Sequence, residues 1–309
     1  MSVIGRRKDR AETATDRAGE RAREGHELED AVNLRSHQLI TTRSIGRFAL
    51  YLLATMLAVW ILLPLYLITI SSLSTRQSVY SWPKQFFPDP ISLDTLTFFL
   101  RSHGVLDAAR NSVLVGLLTL AMSLVIGAPA GYALARFVFP GRDAYKMLIL
   151  TTRAFPIVIL SIPLAVTFIN WRLYDTLWAV AIVHTALALP QTILVTSSIF
   201  LSVPRELEEA ALTLGCHRVQ AFMRVVLPMS LPGLAAAAIF AFVLSWNEVF
   251  GATILTVRNR TLPAHVLSFL NESAMPVRFA GGFVLIIPSL VFILIIRRYL
   301  LNMWGRVVK

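Results

Sequence analysis

Charged side chains and cysteines are scarce in this chain of 309 residues. Asp, Glu, Lys and Arg together make up 15% of it, whereas an ordinary soluble domain has about 25%. The single cysteine, Cys216, excludes an internal disulfide framework and a cysteine-rich metal site. Hydrophobic residue types reach 56% and form several long uncharged runs. The composition therefore excludes a disordered protein and indicates one that crosses a membrane repeatedly.

Sequence motifs of common enzymes are also missing. The chain has no GxxxxGK[ST] phosphate-binding loop, no HExxH zinc-binding helix and no GxSxG nucleophile elbow. We therefore expect no catalytic residues, no metal site and no cofactor in this chain. The net charge of +11 does not indicate a nucleic-acid partner, because the excess of basic residues lies beside the apolar runs, where retained cytoplasmic loops would place it.

The first 44 residues form a charged segment with nine Lys or Arg, eight Asp or Glu and few large apolar residues. Such a segment cannot bury a hydrophobic core. The first apolar run begins only near Ile45 and is too long for the core of a signal peptide. We predict a cytoplasmic N-terminal tail over residues 1–44 and a membrane domain over residues 45–309.

Six later segments are long enough to span a bilayer, which takes about 20 mainly apolar residues per helix. They cover residues 48–70, 112–135, 147–170, 176–200, 227–254 and 279–296. With the N-terminus inside, the inner segments hold thirteen Lys or Arg and the outer loops hold eight. This bias favours both termini in the cytoplasm. The predicted fold is an all-α integral membrane protein with about six transmembrane helices.

The loop over residues 203–226, between the fourth and fifth predicted spans, has the pattern of a compact helical knob. Pro204 suits the first turn of a helix, and three glutamates within the next five residues favour its positive end. Gly215 permits a sharp change of direction, and apolar residues from Val219 onward supply one face of a second helix. The alternative is an amphipathic loop that lies on the bilayer surface. The acidic residues disfavour it, because helices on a membrane surface usually have a basic polar face.

The same loop resembles the EAA coupling motif of permeases from binding-protein-dependent ABC importers. The residues that match the motif are Glu209, Ala210, Ala211, Gly215, Leu227 and Pro228. Residues 131–137 and 245–248 are similar to segments of the maltose-type, sugar-transporting branch of that family. One position departs from the branch, because Leu214 stands where an aspartate often precedes the motif glycine.

The resemblance implies a permease subunit of a type I ABC importer in the plasma (inner) membrane of a prokaryote. Such a subunit forms half of a translocation pathway for a sugar, an oligosaccharide or related carbohydrate, and works by alternating access. Its implied partners are a second homologous permease, a dimer of ATP-binding cassette ATPases, an extracytoplasmic solute-binding protein and the surrounding membrane lipid. ATP hydrolysis is implied in the separate ATPase, with the helix that contains Glu209 to Gly215 as the coupling helix.

Asn247 and Glu248 interrupt the fifth predicted span. An ionisable group inside a membrane is costly and indicates a functional role by default. Glu248 either lines the pathway or bonds to a neighbouring helix, or it lies near the outer interface and is hydrated. We assign no function to His184 in the fourth span, since a lone membrane histidine usually makes an interhelical hydrogen bond.

Two other functions stay open from the sequence. A polytopic membrane enzyme acting on a lipid or glycan would need clustered acid, base or metal-binding residues, and Glu248 with His184 is too sparse a set. An importer permease for a solute other than a sugar is the second alternative.

Overall fold

The computed structural model describes residues 47–83, 86–270 and 273–304. The predicted N-terminal tail lies outside the described residues. Every regular element in the described part of the chain is helical. In chain order the α-helices are α1 Arg47–Ser72, α2 Arg76–Tyr80, α3 Asp94–Arg101, α4 Val105–Arg136, α5 Arg142–Thr151, α6 Ile157–Asn170, α7 Leu177–Leu201, α8 Arg205–Thr213, α9 Arg218–Ala221, α10 Leu227–Asn247, α11 Phe250–Leu255, α12 Leu262–Leu270 and α13 Met275–Trp304.

Five helical segments among the described residues are long and apolar enough to cross a membrane. They are α1, α4, α7, the continuous segment Arg218–Asn247 that ends as α10, and α13 from Met275 to Leu294. Helices α5 and α6 would supply a sixth span if the bent pair counts as one. The all-helical fold with about six spans is therefore confirmed.

The third span predicted over residues 147–170 is broken into two helices. Helices α5 and α6 meet at an angle of 85°, and a short 3₁₀ turn, Thr152–Ala154, precedes the bend. Phe155 and Pro156 are both extended, with ψ of 115° and 125°. Proline disfavours helical backbone at the residue before it, so Pro156 breaks the helix at this position.

The fifth span is shorter at its C-terminal end than the predicted 227–254. Helix α10 ends at Asn247, Glu248 is extended with ψ of 127°, and α11 begins at Phe250. The Glu248 carboxylate accepts hydrogen bonds from the backbone N–H groups of Gly251 and Ala252, at 3.0 and 3.3 Å. A side chain that satisfies the first N–H groups of a new helix stabilises a break at this point.

Residues 67–309 form one compact unit, and α4, α7 and α10 build its centre. Small residues bring α4 close to α7. A Cβ atom at Gly131 would lie 2.1 Å from Thr196 Oγ1 and 2.8 Å from the backbone nitrogen of Ser197. The Thr196 hydroxyl also donates to the carbonyl of Gly127, at 3.1 Å. Such close approach with hydrogen bonds between helices is typical of membrane helix packing.

Asp175 joins two connections at the end of α7 that lies opposite α8. Its carboxylate accepts hydrogen bonds from the backbone N–H groups of residues 257–259, at 2.8, 3.0 and 3.0 Å. Partial burial opposes ionisation, but these N–H groups outweigh it and hold the pKa of the Asp175 carboxyl below its ordinary value. The turn before α7 is thereby fixed to the turn after α11.

Candidate coupling site and membrane cavity

Helix α8 is a short, separate helix between α7 and the helical segment Arg218–Asn247. Its C-terminal turn closes at Gly215, which has a φ of +91° and open space where a Cβ would stand. The Gly215 and Cys216 N–H groups donate to the carbonyls of Leu212 and Ala211, each at 3.0 Å. Because L-residues are strained at this φ, the glycine supports the sharp turn that the sequence predicts.

The predicted second helix of the knob is not a separate element. Helix α9 passes through a π-helical turn, Phe222–Val226, directly into α10. The segment Arg218–Asn247 is therefore one helix of 30 residues. The apolar residues that the sequence assigned to a second knob helix begin the fifth span instead, because Leu227 and Pro228 continue the helical backbone.

The motif residues divide between an outer and an inner surface. Glu209, Ala210, Gly215 and Pro228 are exposed, Leu227 is half-buried, and Ala211 is buried against the bundle. The Leu214 side chain is 85% exposed at the tip of the knob. The exposed residues can contact another protein, whereas Ala211 lets α8 pack closely on the bundle.

Glu208, next to the motif glutamate, turns inward and binds the end of α4. Its Oε2 lies 2.9 Å from Arg136 Nε, and its Oε1 accepts the Tyr132 hydroxyl. The Glu208 and Arg136 side chains are only 12% and 6% exposed. Sequence reasoning assigned Glu208 only to the helix dipole. The one available signal was its place beside Glu209, since adjacent residues on a helix point about 100° apart.

A second polar cluster surrounds Glu248 in the membrane part of the molecule. His184 Nε2 lies 2.8 Å from Glu248 Oε2, and His184 Nδ1 lies 2.8 Å from Ser245 Oγ. The Thr119 hydroxyl donates to Ser245 Oγ at 3.3 Å. An ionised carboxylate only accepts hydrogen bonds, so His184 Nε2 is the donor to an ionised Glu248. The direction of the bond between Nδ1 and Ser245 follows from the tautomer of the ring.

The geometry distinguishes between the alternatives left open for Glu248. Its side chain is 10% exposed, the His184 side chain is fully buried, and the bond between them joins the end of α10 to α7. Glu248 therefore bonds to a neighbouring helix and also borders a cavity. Its partner is His184, to which the sequence assigned no function. Asn247 is exposed, and its amide donates to Val243 within the same helix, at 2.9 Å.

A cavity of about 1000 Å³ opens between α6, α7 and α10. Asn247 and Glu248 lie among its lining residues, with Arg153 in another part of the wall and the aromatic rings of Phe155 and Trp171 between apolar side chains. The Arg153 guanidinium donates to Gln191 Oε1 at 2.5 Å. Within the described residues, no group of three His, Cys, Asp or Glu side chains is placed to hold a metal ion.

These features define a helical membrane protein with a cavity among its spans and a small helical knob at one end. Residues 123–302 match the family described as the inner membrane component of binding-protein-dependent transport systems, and the chain belongs to that family. The assignment confirms the resemblance to ABC importer permeases. It places the chain among multi-pass transport permeases and does not favour the membrane-enzyme alternative.

Several named relatives are sugar transport permeases. The chain is 32% identical over 252 residues to the trehalose transport system permease SugB of Mycobacterium tuberculosis, covering 80% of this chain and 91% of the relative. It is 33% identical over 254 residues to the sulfoquinovosyl glycerol transport system permease SmoH of Agrobacterium fabrum, covering 81% and 89%. It is 29% identical over 247 residues to the diacetylchitobiose uptake permease NgcG of Streptomyces coelicolor, covering 78% and 82%.

Solved structures share the fold at low sequence identity. A bacterial ABC transporter that imports the acidic polysaccharide alginate superposes with a TM-score of 0.68 at 20% identity, over 82% of this chain and 96% of that one. The inward-facing MetNI methionine ABC transporter gives a TM-score of 0.53 at 19% identity, over 67% and 98%.

Proposed function

We propose that this chain is the permease subunit of an ATP-driven importer for a carbohydrate. It forms half of the translocation pathway and works by alternating access, while ATP is hydrolysed in a separate subunit. The sugar assignment is supported by the relatives named for trehalose, diacetylchitobiose and sulfoquinovosyl glycerol transport. An importer of a different solute is the alternative that an uptake assay tests.

The exposed knob of α8 is the observation that carries the coupling part of the proposal. Glu209, Ala210 and Gly215 lie on its outer surface at the end of the helical bundle, where a rigid helix can enter a cleft in a partner. An ATPase that closes on nucleotide can move membrane helices through such a rigid contact. We assign a dimer of ATP-binding cassette subunits to this surface.

The cavity between α6, α7 and α10 is this subunit's half of the proposed translocation pathway. It offers hydrogen-bonding groups at Arg153, Asn247 and Glu248 and aromatic surface at Phe155 and Trp171, which suits a solute with both hydroxyl groups and apolar ring faces. A second homologous permease closes the other side of the pathway, and an extracytoplasmic binding protein delivers the solute. This last role matches one structural relative, which was solved with a pentasaccharide-bound periplasmic protein.

The orientation assigned to the chain has both termini and α8 on the cytoplasmic side of a prokaryotic inner membrane. In a Cys216-free background, a cysteine at Ser92 should react with an impermeant thiol reagent added outside intact cells. A cysteine at Thr213, in α8, should react only after the membrane is opened. Labelling of Thr213 from outside would contradict the orientation.

The coupling surface is tested with Gly215→Pro and Glu209→Lys in the importer complex. Both variants should stay in the membrane, lose the ATPase subunit on purification and lose uptake of a sugar panel that contains trehalose and diacetylchitobiose. Asp143→Lys is the matched control, because the Asp143 side chain is 92% exposed on another helix. Gly215→Ala should be milder, costing about 1 kcal/mol at a positive φ. Normal uptake by the Glu209→Lys, Gly215→Pro double variant would refute the coupling role.

A further inference from the structure

We propose that Tyr132, Arg136 and Glu208 form an anchor that transmits movement of α8 to α4. These are positioning residues, because they act through α8 and touch neither solute nor nucleotide. The inference rests on the coupling function proposed above and adds to it the connection between the knob and the membrane helices. We call these three residues the α4–α8 anchor.

The anchor is held from both sides. Glu208 uses both carboxylate oxygens, one against Arg136 Nε at 2.9 Å and one as acceptor for the Tyr132 hydroxyl. The Arg136 guanidinium also donates to the carbonyl of Val203 at 2.9 Å, just before α8 begins. In the opposite direction, Arg205 Nη2 lies 3.5 Å from the carbonyl of Ala135. The last turn of α4 and the first turn of α8 are therefore joined by several directed contacts.

The turns that flank α8 explain why an anchor is needed. Residues 202–204 precede the helix, and the turn at Gly215 follows it with a φ of +91°. A short helix between two turns can rotate when its outer face is pushed, and such rotation would dissipate the displacement. The ion pair acts together with two directed hydrogen bonds, from the Tyr132 hydroxyl to Glu208 and from Arg136 to the Val203 carbonyl. Directed bonds resist this rotation better than apolar contacts, which are not directional.

Tyr132 also lies where several helices meet. Its ring contacts Phe200 of α7 and Phe222 of the π-helical turn, with ring centroids 5.9 and 4.5 Å apart. The rings of Phe200 and Phe222 lie 5.7 Å from each other. A displacement that reaches Tyr132 through Glu208 is therefore passed to α7 and to the start of the fifth span, and not to α4 alone.

Adjacent glutamates thus have opposite tasks in α8. Glu209 is exposed and available to the ATPase, whereas Glu208 is 12% exposed and bound to α4. Removing the charge of Glu208 should leave the docking surface intact and break the transmission. Loss of Glu209 should instead release the ATPase. This difference separates the present inference from the coupling role itself.

The test uses the complete importer complex, with its ATPase and binding protein, in a Cys216-free background. A reporter cysteine at Thr167, in the cavity wall, is labelled with a water-soluble maleimide before and after ATP and orthovanadate are added. In the parent complex, trapped nucleotide should change the labelling rate about tenfold. Glu208→Gln should abolish this response while ATPase attachment and basal hydrolysis remain. Glu206→Gln, on the exposed first turn of α8, is the matched control and should respond like the parent.

Tyr132→Phe keeps the aromatic packing and the ion pair but removes one hydrogen bond to Glu208. It should weaken the nucleotide response by about a factor of three without loss of assembly. If Glu208→Gln fails to assemble, the response of Tyr132→Phe is the measurement that tests the anchor. The anchor would be overturned if Tyr132→Phe and Glu208→Gln both respond to nucleotide like the parent. It would also be overturned if Tyr132→Phe responds like the parent and Glu208→Gln fails to assemble. A parent complex that does not respond to nucleotide would overturn the coupling role and the anchor with it.

Discussion

The hydrogen bonds to Glu248 allow a quantitative prediction for two substitutions. The carboxylate accepts from His184 Nε2 at 2.8 Å and from the N–H groups of Gly251 and Ala252 at 3.0 and 3.3 Å. Glu248→Leu removes both acceptor oxygens, and with them all three hydrogen bonds, but keeps a side chain of similar size. Glu248→Gln keeps the shape and removes only the charge.

The expected cost follows from the number of donors left without a partner. A hydrogen bond to a charged group contributes about 1.5–3 kcal/mol, and a lost helix cap costs about 1 kcal/mol. Glu248→Leu should therefore destabilise the protein by about 3 kcal/mol. In Glu248→Gln, the amide oxygen accepts from the α11 N–H groups and the amide NH₂ donates to His184 Nε2. His184 then carries its proton on Nδ1 and donates to Ser245, so the cost should be about 1 kcal/mol or less.

Thermal unfolding of the purified complex in detergent measures both effects. Asn247→Leu is the control, because Asn247 is exposed, its amide NH₂ bonds within α10, and its Oδ1 accepts only a long bond of 3.4 Å from Ser289. The melting temperature of this variant should stay near that of the parent. In the double variant His184→Leu, Glu248→Leu, the total destabilisation should be smaller than the sum of the single effects, since no buried imidazole remains unpaired. We also expect Glu248→Leu to assemble but transport poorly.

A melting temperature of Glu248→Leu equal to that of the parent would contradict the predicted cost, and so would a Glu248→Gln variant as unstable as Glu248→Leu. Additive effects in the double variant would show that His184 and Glu248 do not interact. Uptake by Glu248→Leu at the parent rate would show that Glu248 is not required in the pathway.

Two further predictions concern packing and pH. Gly131→Ala should lower the free energy of unfolding by about 2 kcal/mol or more, because its Cβ would lie 2.8 Å from the backbone nitrogen of Ser197. Gly282→Ala is the control: its Cβ would have its nearest neighbour at 3.5 Å, so its melting temperature should equal or exceed that of the parent. The lowered pKa of Asp175 stabilises the folded state above the unfolded-state pKa of about 3.9, and this contribution is lost as the pH falls through the lower folded-state pKa. The difference in melting temperature between the parent and Asp175→Asn should therefore be largest near pH 7 and shrink below about pH 4; a difference independent of pH would contradict the assignment.

The sequence by itself determined the features that depend on local composition and spacing. Run lengths of apolar residues identified the membrane-spanning class, because a helix must satisfy its backbone within one segment of the bilayer. The spacing from Glu209 to Gly215 identified the knob, and the positive φ of Gly215 follows from the residue type that such a turn requires. Hydropathy placed residues 147–170 in one span, because the apolar residues that end α5 and those of α6 lie close together along the chain.

Only the tertiary structure decided which polar groups meet. Tyr132 and Glu208 are 76 positions apart, and His184 and Glu248 are 64 positions apart, so no local pattern pairs them. The choice between Glu208 and Glu209 depends on how α8 is rotated against the end of α4. The pairing of Glu248 with His184 depends on how α7 packs beside the end of α10. Hydropathy records how apolar a segment is, whereas a buried hydrogen bond depends on the relative position of two helices, which packing alone determines.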